Sequence, residues 1–474
     1  MLDSFDELLG AAMIHHETAR GLAKSVMIGE RTSLEIVEHY LARADASDLN
    51  AFTLIDRQGA LAAAQGVDDA RRAGQELGVL AGVPVAVKDL IDQQGRITTA
   101  GSSFYRKVPD HSATVIRRLD QAGAVIIGRT GLHEFAFGFT SENDWFGPVR
   151  NPWDPRTSPG GSSGGSAVAT AAGLASVTLG TDTGGSVRGP AALCGVVGLK
   201  PTHGRVPLTG VFPLAPSLDT AGPIARSVGD AAQLYQVIAG FDASDPWSES
   251  RHVREPGPAA DPARLRIGVP QPWVSKGPVQ KAVRDSFWLA VDRLESVGAR
   301  VEEFASDQLQ PAPELTPSVA GEVASVHREF RSNPNNRYGA VVEARMRIAD
   351  AVTLDEYIAA LEWRARLRQA FAGAFEAYDL LITPAVGARE KVIGEDEIDI
   401  DGQPQHFRFV LSWFSALVNH AGLPALVLPL QTSAPGVPPA IQFIAPWWQE
   451  HTLLEVGLMM EQSGLSAVVA PPGF

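Results

Sequence analysis

Cysteine is all but missing from this chain: Cys194 stands alone among 474 residues. One thiol excludes an internal disulfide and any metal cluster built on cysteines. Lysine is scarce too, with seven against 33 arginines. Positive charge as a whole is outweighed, and the formal net charge is −14. An acidic balance argues against nucleic acid or an anionic membrane as the main partner, because both call for a basic face. No apolar run is long enough to span a bilayer. The opening MLDSFDELLGAAM is acidic where a secretory signal is basic. These absences lead to the expectation of a soluble, cytoplasmic protein. A Gly-Lys-Ser/Thr triplet is also missing, which excludes a Walker loop. So is His-Glu-x-x-His, or any other cluster at ligand spacing, so no metal and no cofactor are expected.

What is present is ordinary globular material, 45% hydrophobic and 20% charged, able to bury a large core. RTSLEIVEHYLARA reads as a helix in which Thr32 and Glu35 make a capping-box pattern. Segment 82–92 is a buried strand ending in charge, 114–122 a helix and 124–128 another strand. The rhythm returns at 265–270, 279–297 and 299–304. Further apolar strands fall at 378–385, 424–430 and 440–445. This alternation predicts an α/β fold with a large, mixed or largely parallel sheet covered by helices. The Pro- and Asp-rich stretch 242–263 reads as a surface excursion within a single domain spanning 1–474, because strands of similar character flank it.

Three segments carry polar residues where chemistry is conceivable. Lys88 closes the apolar run VAVK, where desolvation lowers an amine pKa. On its own it reads more plainly as a strand-end lysine reaching water. TSPGGSSGGS (157–166) matches Gly-x-Ser-x-Gly twice, around Ser162 and Ser163. It follows a proline-containing loop rather than a strand, so a flexible loop entering the Ala-rich helix 166–175 is the plainer reading. GTDTGGSVRGP (180–190) sets Ser186 behind two glycines, which let consecutive N–H groups turn toward one point.

Taken together, GGSSGGS, GTDTGGSVRGPA 24 residues on and a strand-end lysine upstream resemble the amidase signature family. GLKPTHGRVP, SLDTAGPIARSVGDAA, DLLITPA, HAGLPALVLP and the closing VPPAIQFIAPWWQEHTLL resemble it as well. The resemblance covers nearly the whole chain. It implies Ser186 as nucleophile, Ser162 as bridging serine behind a cis Gly161–Ser162 peptide, and Lys88 as base. It also implies an oxyanion hole from the backbone N–H groups of Thr183, Gly184, Gly185 and Ser186. Ser163, Asp182 and Arg188 are expected to brace these loops. His133, His203 and His420 fall in family-like segments and read as structural; Cys194 reads as a buried apolar residue.

For the substrate, HEFAFGFTSENDWFG offers Phe135, Phe137 and Phe139 as pocket candidates. Gly189 replaces a side chain beside the nucleophile. Residues 320–350 and 386–412 are the least family-like and are expected to shape the pocket, with Trp413, Trp447 and Trp448 as further candidates. The main expectation is an amidase acting through an acyl-enzyme on a carboxylic amide, an aryl amide, ester or carbamate (urethane) included. The alternative is the glutaminase subunit of a tRNA-dependent amidotransferase, and an idle binding module comes third. The expected partner is a small-molecule amide, with no nucleic acid, no membrane and a homodimer as one option.

Overall fold

The computed structural model describes residues 14–433 and 435–474. The acidic opening segment, and with it the reading of a missing signal sequence, lies outside them. Thirteen strands are present among the described residues. They are β1 (Phe52–Ile55), β2 (Pro84–Lys88), β3 (Val125–Thr130), β4 (Val177–Asp182), β5 (Val197–Lys200), β6 (Thr220–Ala225) and β7 (Arg266–Gln271). β8 (Arg300–Ala305), β9 (Leu380–Pro384), β10 (Glu397–Ile400), β11 (Gln403–His406), β12 (Ala425–Pro429) and β13 (Ala440–Ile444) complete the set.

Eleven strands form one sheet in the order β1-β3-β2-β4-β6-β5-β12-β13-β9-β7-β8, and β10 and β11 make a separate hairpin. The sheet is mixed: β3, β2 and β4 run parallel, as do β9, β7 and β8, while the strands between them pair antiparallel. β2, β3 and β4 are buried at every position. That is why β2 and β3 read as unbroken apolar runs rather than alternating ones. The helix Gly164–Ala171 packs on β2, β3, β4 and β6, and Val228–Ile238 on β4, β5 and β6. The expected α/β fold with a large mixed sheet is the one observed. No helix among the described residues is long and apolar enough to cross a membrane.

Local chemistry sets the element ends. Thr32 caps the helix Ser33–Ala46, accepting the Glu35 N–H at 3.1 Å. Strands from both sides of the 242–263 stretch join the same sheet. β6 escapes sequence reading because Pro223 sits in its middle, and proline argues against a central strand. Here it pairs with Leu179 of β4 between two antiparallel neighbours.

Parallel pairing also places the candidate residues. β2 and β4 run side by side with Val87 opposite Leu179, so Lys88 and the Thr181–Asp182 end of β4 leave the sheet at one edge. Ser162 precedes the helix Gly164–Ala171 and Ser186 precedes Arg188–Cys194. Open α/β sheets gather ligands at this carboxyl edge of their parallel strands.

Candidate active site

Lys88 is completely buried. Its Nζ donates to Ser162 Oγ at 2.7 Å and to Thr181 Oγ1 at 2.8 Å. Burial pushes its pKa down to about 7, with Asp182 and Asp219 pulling the other way. The plain reading of a strand-end lysine reaching water does not hold.

The Ser162 loop is fixed from several sides. The Gly161–Ser162 peptide is cis. The Ser162 carbonyl accepts the His133 N–H and the Ser141 hydroxyl, both at 3.2 Å. A Cβ on Gly161 would come within 2.6 Å of the Thr140 nitrogen, so only glycine fits there. Ser163 ties this loop to β4: its Oγ donates to the Thr181 carbonyl at 3.1 Å and accepts the Thr181 N–H at 3.2 Å. The Ser163 N–H donates to the Ser186 carbonyl at 3.2 Å, joining the two serine loops.

Asp182 organises the turn that carries Ser186. Its carboxylate accepts the N–H of Gly185 at 2.8 Å and of Val187 at 3.1 Å. It also takes Arg188 Nη2 at 2.9 Å and Nε at 3.0 Å. Burial would raise the Asp182 pKa, but Arg188, Lys200 and Asn419 hold it well below the usual carboxylate range. Arg188 reaches on to Gln442 Oε1 at 2.7 Å and Asn419 Oδ1 at 2.5 Å. Thr183 Oγ1 donates to Asp219 at 2.5 Å, and Ser415 Oγ donates to the Gly184 carbonyl at 2.6 Å.

The Gly185 N–H is therefore spent on Asp182. Of the four expected oxyanion donors, Thr183, Gly184 and Ser186 keep N–H groups without a protein acceptor among the described residues. Gly185 is required for another reason: its φ is +128°, and a Cβ would fall 2.2 Å from Ser415 Oγ. Among the described residues no hydrogen bond joins the Ser186 and Ser162 hydroxyls; Ser186 lines a cavity of about 610 Å³ instead.

The cavity sorts the pocket candidates. Phe137, Phe139, Trp413 and His420 line it. Phe135 does not. It is fully buried in an aromatic cluster with Phe104, Tyr105 and Phe212, because its neighbours on that side are core rather than cleft. Gly189 does not line it either, although a Cβ there would meet nothing within 4 Å. Trp447 lies under Arg368 and Trp448 under Arg205 and Arg251, outside the lining. From the less family-like segments come Ala320, Arg345, Ile348, His406, Arg408, Phe409 and Ser412. Sequence reading missed Arg345 and Arg408 as individuals, since nothing marks them among 33 arginines. Thr181, Asp219, Ser415, Asn419 and Gln442 were missed as well, being common polar residues with no local pattern around them. Cys194 is buried and makes only a 3.8 Å contact to the Pro159 carbonyl.

Comparison with known proteins bears on this arrangement. A family model described as Amidase matches residues 35–454. The chain belongs to the amidase signature family. It is an enzyme of the class that acts on amide C–N bonds. The A-subunit of the glutamyl-tRNA(Gln) amidotransferase of Lachnospira eligens is 35% identical over 94% of this chain and 98% of the relative. Its counterpart from Anaeromyxobacter dehalogenans is 37% identical over 93% and 94%. A solved structure described as a vestigial protein complex revealing the origins of an s-triazine catabolic enzyme superposes with TM-score 0.88. It is 33% identical and covers 96% of this chain and all of its own.

The relatives' name overturns one expectation. They are one subunit of an amidotransferase of glutamyl-tRNA(Gln), against the expected small-molecule substrate with no nucleic acid. The charge argument failed for a physical reason. Net charge averages over the whole surface, and one subunit of an assembly need not itself meet the phosphate backbone.

Proposed function

We propose that this chain hydrolyses the terminal amide of a carboxylate-bearing donor, glutamine being the type case, as the amide-cleaving subunit of an amidotransferase. The observation that carries this reading is Arg345. It is a buried guanidinium in the wall of the cavity that holds Ser186, and its Nε and Nη2 have no protein partner. A carboxylate is the group such a fork accepts best.

The chemistry runs through Ser186, Ser162 and Lys88. Neutral Lys88 takes the Ser162 proton while Ser162 takes that of Ser186, and the Ser186 oxygen attacks the amide carbonyl. The oxyanion meets the free N–H groups of Thr183, Gly184 and Ser186; one such donor is worth ~3–4 kcal/mol. The relay then runs backwards and gives its proton to the leaving nitrogen, which departs as ammonia. Water attacks the acyl-enzyme by the same route and frees the acid. Hydroxyl rotation as substrate enters closes the gap between Ser162 and Ser186, since catalytic hydrogen bonds tighten in the complex. Asp182 and Arg188 hold the donors in place, and Ser163 locks one serine loop to the other.

A second reading has its own support. Phe137, Phe139 and Trp413 give the cavity an apolar wall, which suits an aryl amide, ester or carbamate acyl group. Ammonia release from glutamine by wild type and Arg345→Met separates the two. The glutamine reading expects turnover in wild type and a KM raised about tenfold in the variant, the loss of one charge-assisted contact. Turnover of aryl amides with none of glutamine would overturn it in favour of the second.

A further inference from the structure

The cavity is one-sided in charge. Arg345 and Arg408 both line it, and neither aspartate nor glutamate does. Two other buried arginines find a carboxylate, Arg188 with Asp182 at 2.9 Å and Arg205 with Glu450 at 3.4 Å, while Arg129, buried in the core, forms no ion pair among the described residues. Among the described residues neither Arg345 nor Arg408 forms an ion pair. Arg345 is 5% exposed. Its Nη1 donates to the Phe137 carbonyl, and its guanidinium lies over the rings of Phe137 and Phe139, 5.2 and 5.7 Å from their centroids. Arg408 presses on it with like charge. His406 lines the same end, and the carboxylates that act on it, Asp396 and Glu397, stay outside the lining.

Phe139 also fixes how far this cationic end lies from the chemistry. Its Cζ is 3.6 Å from where a Cβ on Gly184 would stand. One aromatic ring thus separates Arg345 from the oxyanion donors, so the anion and the amide carbonyl belong to a short acyl chain.

We infer that Arg345 and Arg408 select amide donors whose far end is anionic and carries no ammonium group, namely ω-amides of short dicarboxylic acids in preference to free glutamine. This rests on the amide-cleaving reading above and narrows its donor. A carboxylate in this end meets the charges of Arg345 and Arg408 in a partly buried wall, where ionic contacts are stronger than in open water. The α-ammonium of glutamine would enter the same space with two guanidiniums nearby and no carboxylate to offset its lost hydration.

Three matched donors test this: glutaramate, glutamine (glutaramate with an α-ammonium) and butanamide (glutaramate without its carboxylate). The expected result is kcat/KM for glutaramate at least tenfold above both others. Arg408→Gln is expected to shrink the glutaramate-to-butanamide ratio at least fivefold. The Ser186→Ala protein, titrated by calorimetry with glutaramate and with glutamine, is expected to bind glutaramate at least tenfold more tightly. Glutamine turned over or bound as well as glutaramate would overturn the inference. So would an Arg408→Gln variant with an unchanged ratio. Should the binding order hold while no amide is cleaved, the hydrolytic reading fails and the charge selection stands.

Discussion

The two ends of the cavity are built on different terms. At the Ser186 end, a fully buried aspartate and arginine are paired with each other and tied to Asn419, Gln442 and Ser415. The residues come from β4, β13, the helix Arg188–Cys194 and the segment Ser415–Asn419. At the Arg345 end, the helix Leu315–Ser332 contributes apolar wall, and the helix Ala340–Asp350 and the segment around His406–Ser412 contribute Arg345 and Arg408, which form no ion pair among the described residues. One end has its charged bracing side chains satisfied from within and so holds its geometry without substrate. The other leaves charge unpaired, and charge of that kind is satisfied by what binds. Preorganisation belongs where bonds break and recognition where the donor is told from others.

Removing the proposed nucleophile breaks the first end most sharply. Ser186→Ala is expected to lower kcat by on the order of 10⁴-fold or more, since members of a relay fail together. Ser186 lies on a turn and its hydroxyl makes no hydrogen bond among the described residues, so the chemical denaturation midpoint of the variant should match wild type. Full turnover in a folded Ser186→Ala protein would refute the assigned chemistry.

Lys88 gives the next largest effect, with a pH signature. The relay needs the neutral amine, and burial holds its pKa down to about 7. kcat/KM should therefore rise with pH through about 7 and level off above it. Stability should move the same way. A lysine with a depressed folded pKa binds fewer protons folded than unfolded from about pH 7 up to the free value of ~10.4, so unfolding free energy climbs across that window. Lys88→Ala is expected to lose on the order of 10³-fold and the ionisation with it. Lys88→Arg should fare no better, because guanidinium stays protonated. The pH–rate profiles of the three proteins decide this, and a Lys88→Arg enzyme retaining the wild-type rise would exclude Lys88 as base.

The contrast between the two ends predicts opposite responses to losing a charge. Asp182→Asn strips the partner from a buried guanidinium and should cost about 3–5 kcal/mol, as broken buried pairs do. Arg345→Met removes a guanidinium that no carboxylate pairs, and should leave stability within about 1 kcal/mol of wild type. Urea unfolding of the two variants side by side is the measurement. Equal losses would mean that Arg345 is as structural as Arg188 and that the two ends do not differ.

How much of this could be read from the sequence follows the same division. The strands β2, β3, β7, β9, β12 and β13 were legible because buried strands are unbroken apolar runs, and β8, largely exposed, from the strand–helix–strand rhythm. Ser162 and Ser186 were singled out by the glycines around them and Lys88 as a lysine closing an apolar strand; the roles proposed for all three came from the family resemblance. Arg345 and Arg408 were not legible, because a side chain facing a cavity leaves no local mark, and Asp219 was not, because its bond to Thr183 is made across 36 residues. Phe135 failed as a pocket residue for a related reason. The chain turns at Phe135, whose φ is +52°, so its ring enters the core while Phe137 and Phe139 line the cleft. Gly185 was expected to keep its N–H free for the substrate, but hydrogen-bond demand from Asp182 is invisible in a linear string.

Gly189 supplies the mildest test of the boundary between the two ends. Its place two residues before Ala191, on the helix Arg188–Cys194, follows directly on the nucleophile turn. A side chain there would crowd the substrate only if the residue faced the cavity, and it does not line it. A Cβ at 189 meets nothing within 4 Å. Its φ is not among the positive ones, so alanine fits the backbone as it stands. Gly189→Ala should then gain up to about 1 kcal/mol, the backbone entropy that glycine loses on entering a helix. KM for every donor should stay within about twofold, a change of well under 1 kcal/mol. Denaturant unfolding and steady-state kinetics on the one variant read both quantities. A KM raised tenfold with stability unchanged would place residue 189 in contact with substrate and move the edge of the recognition surface onto the nucleophile helix.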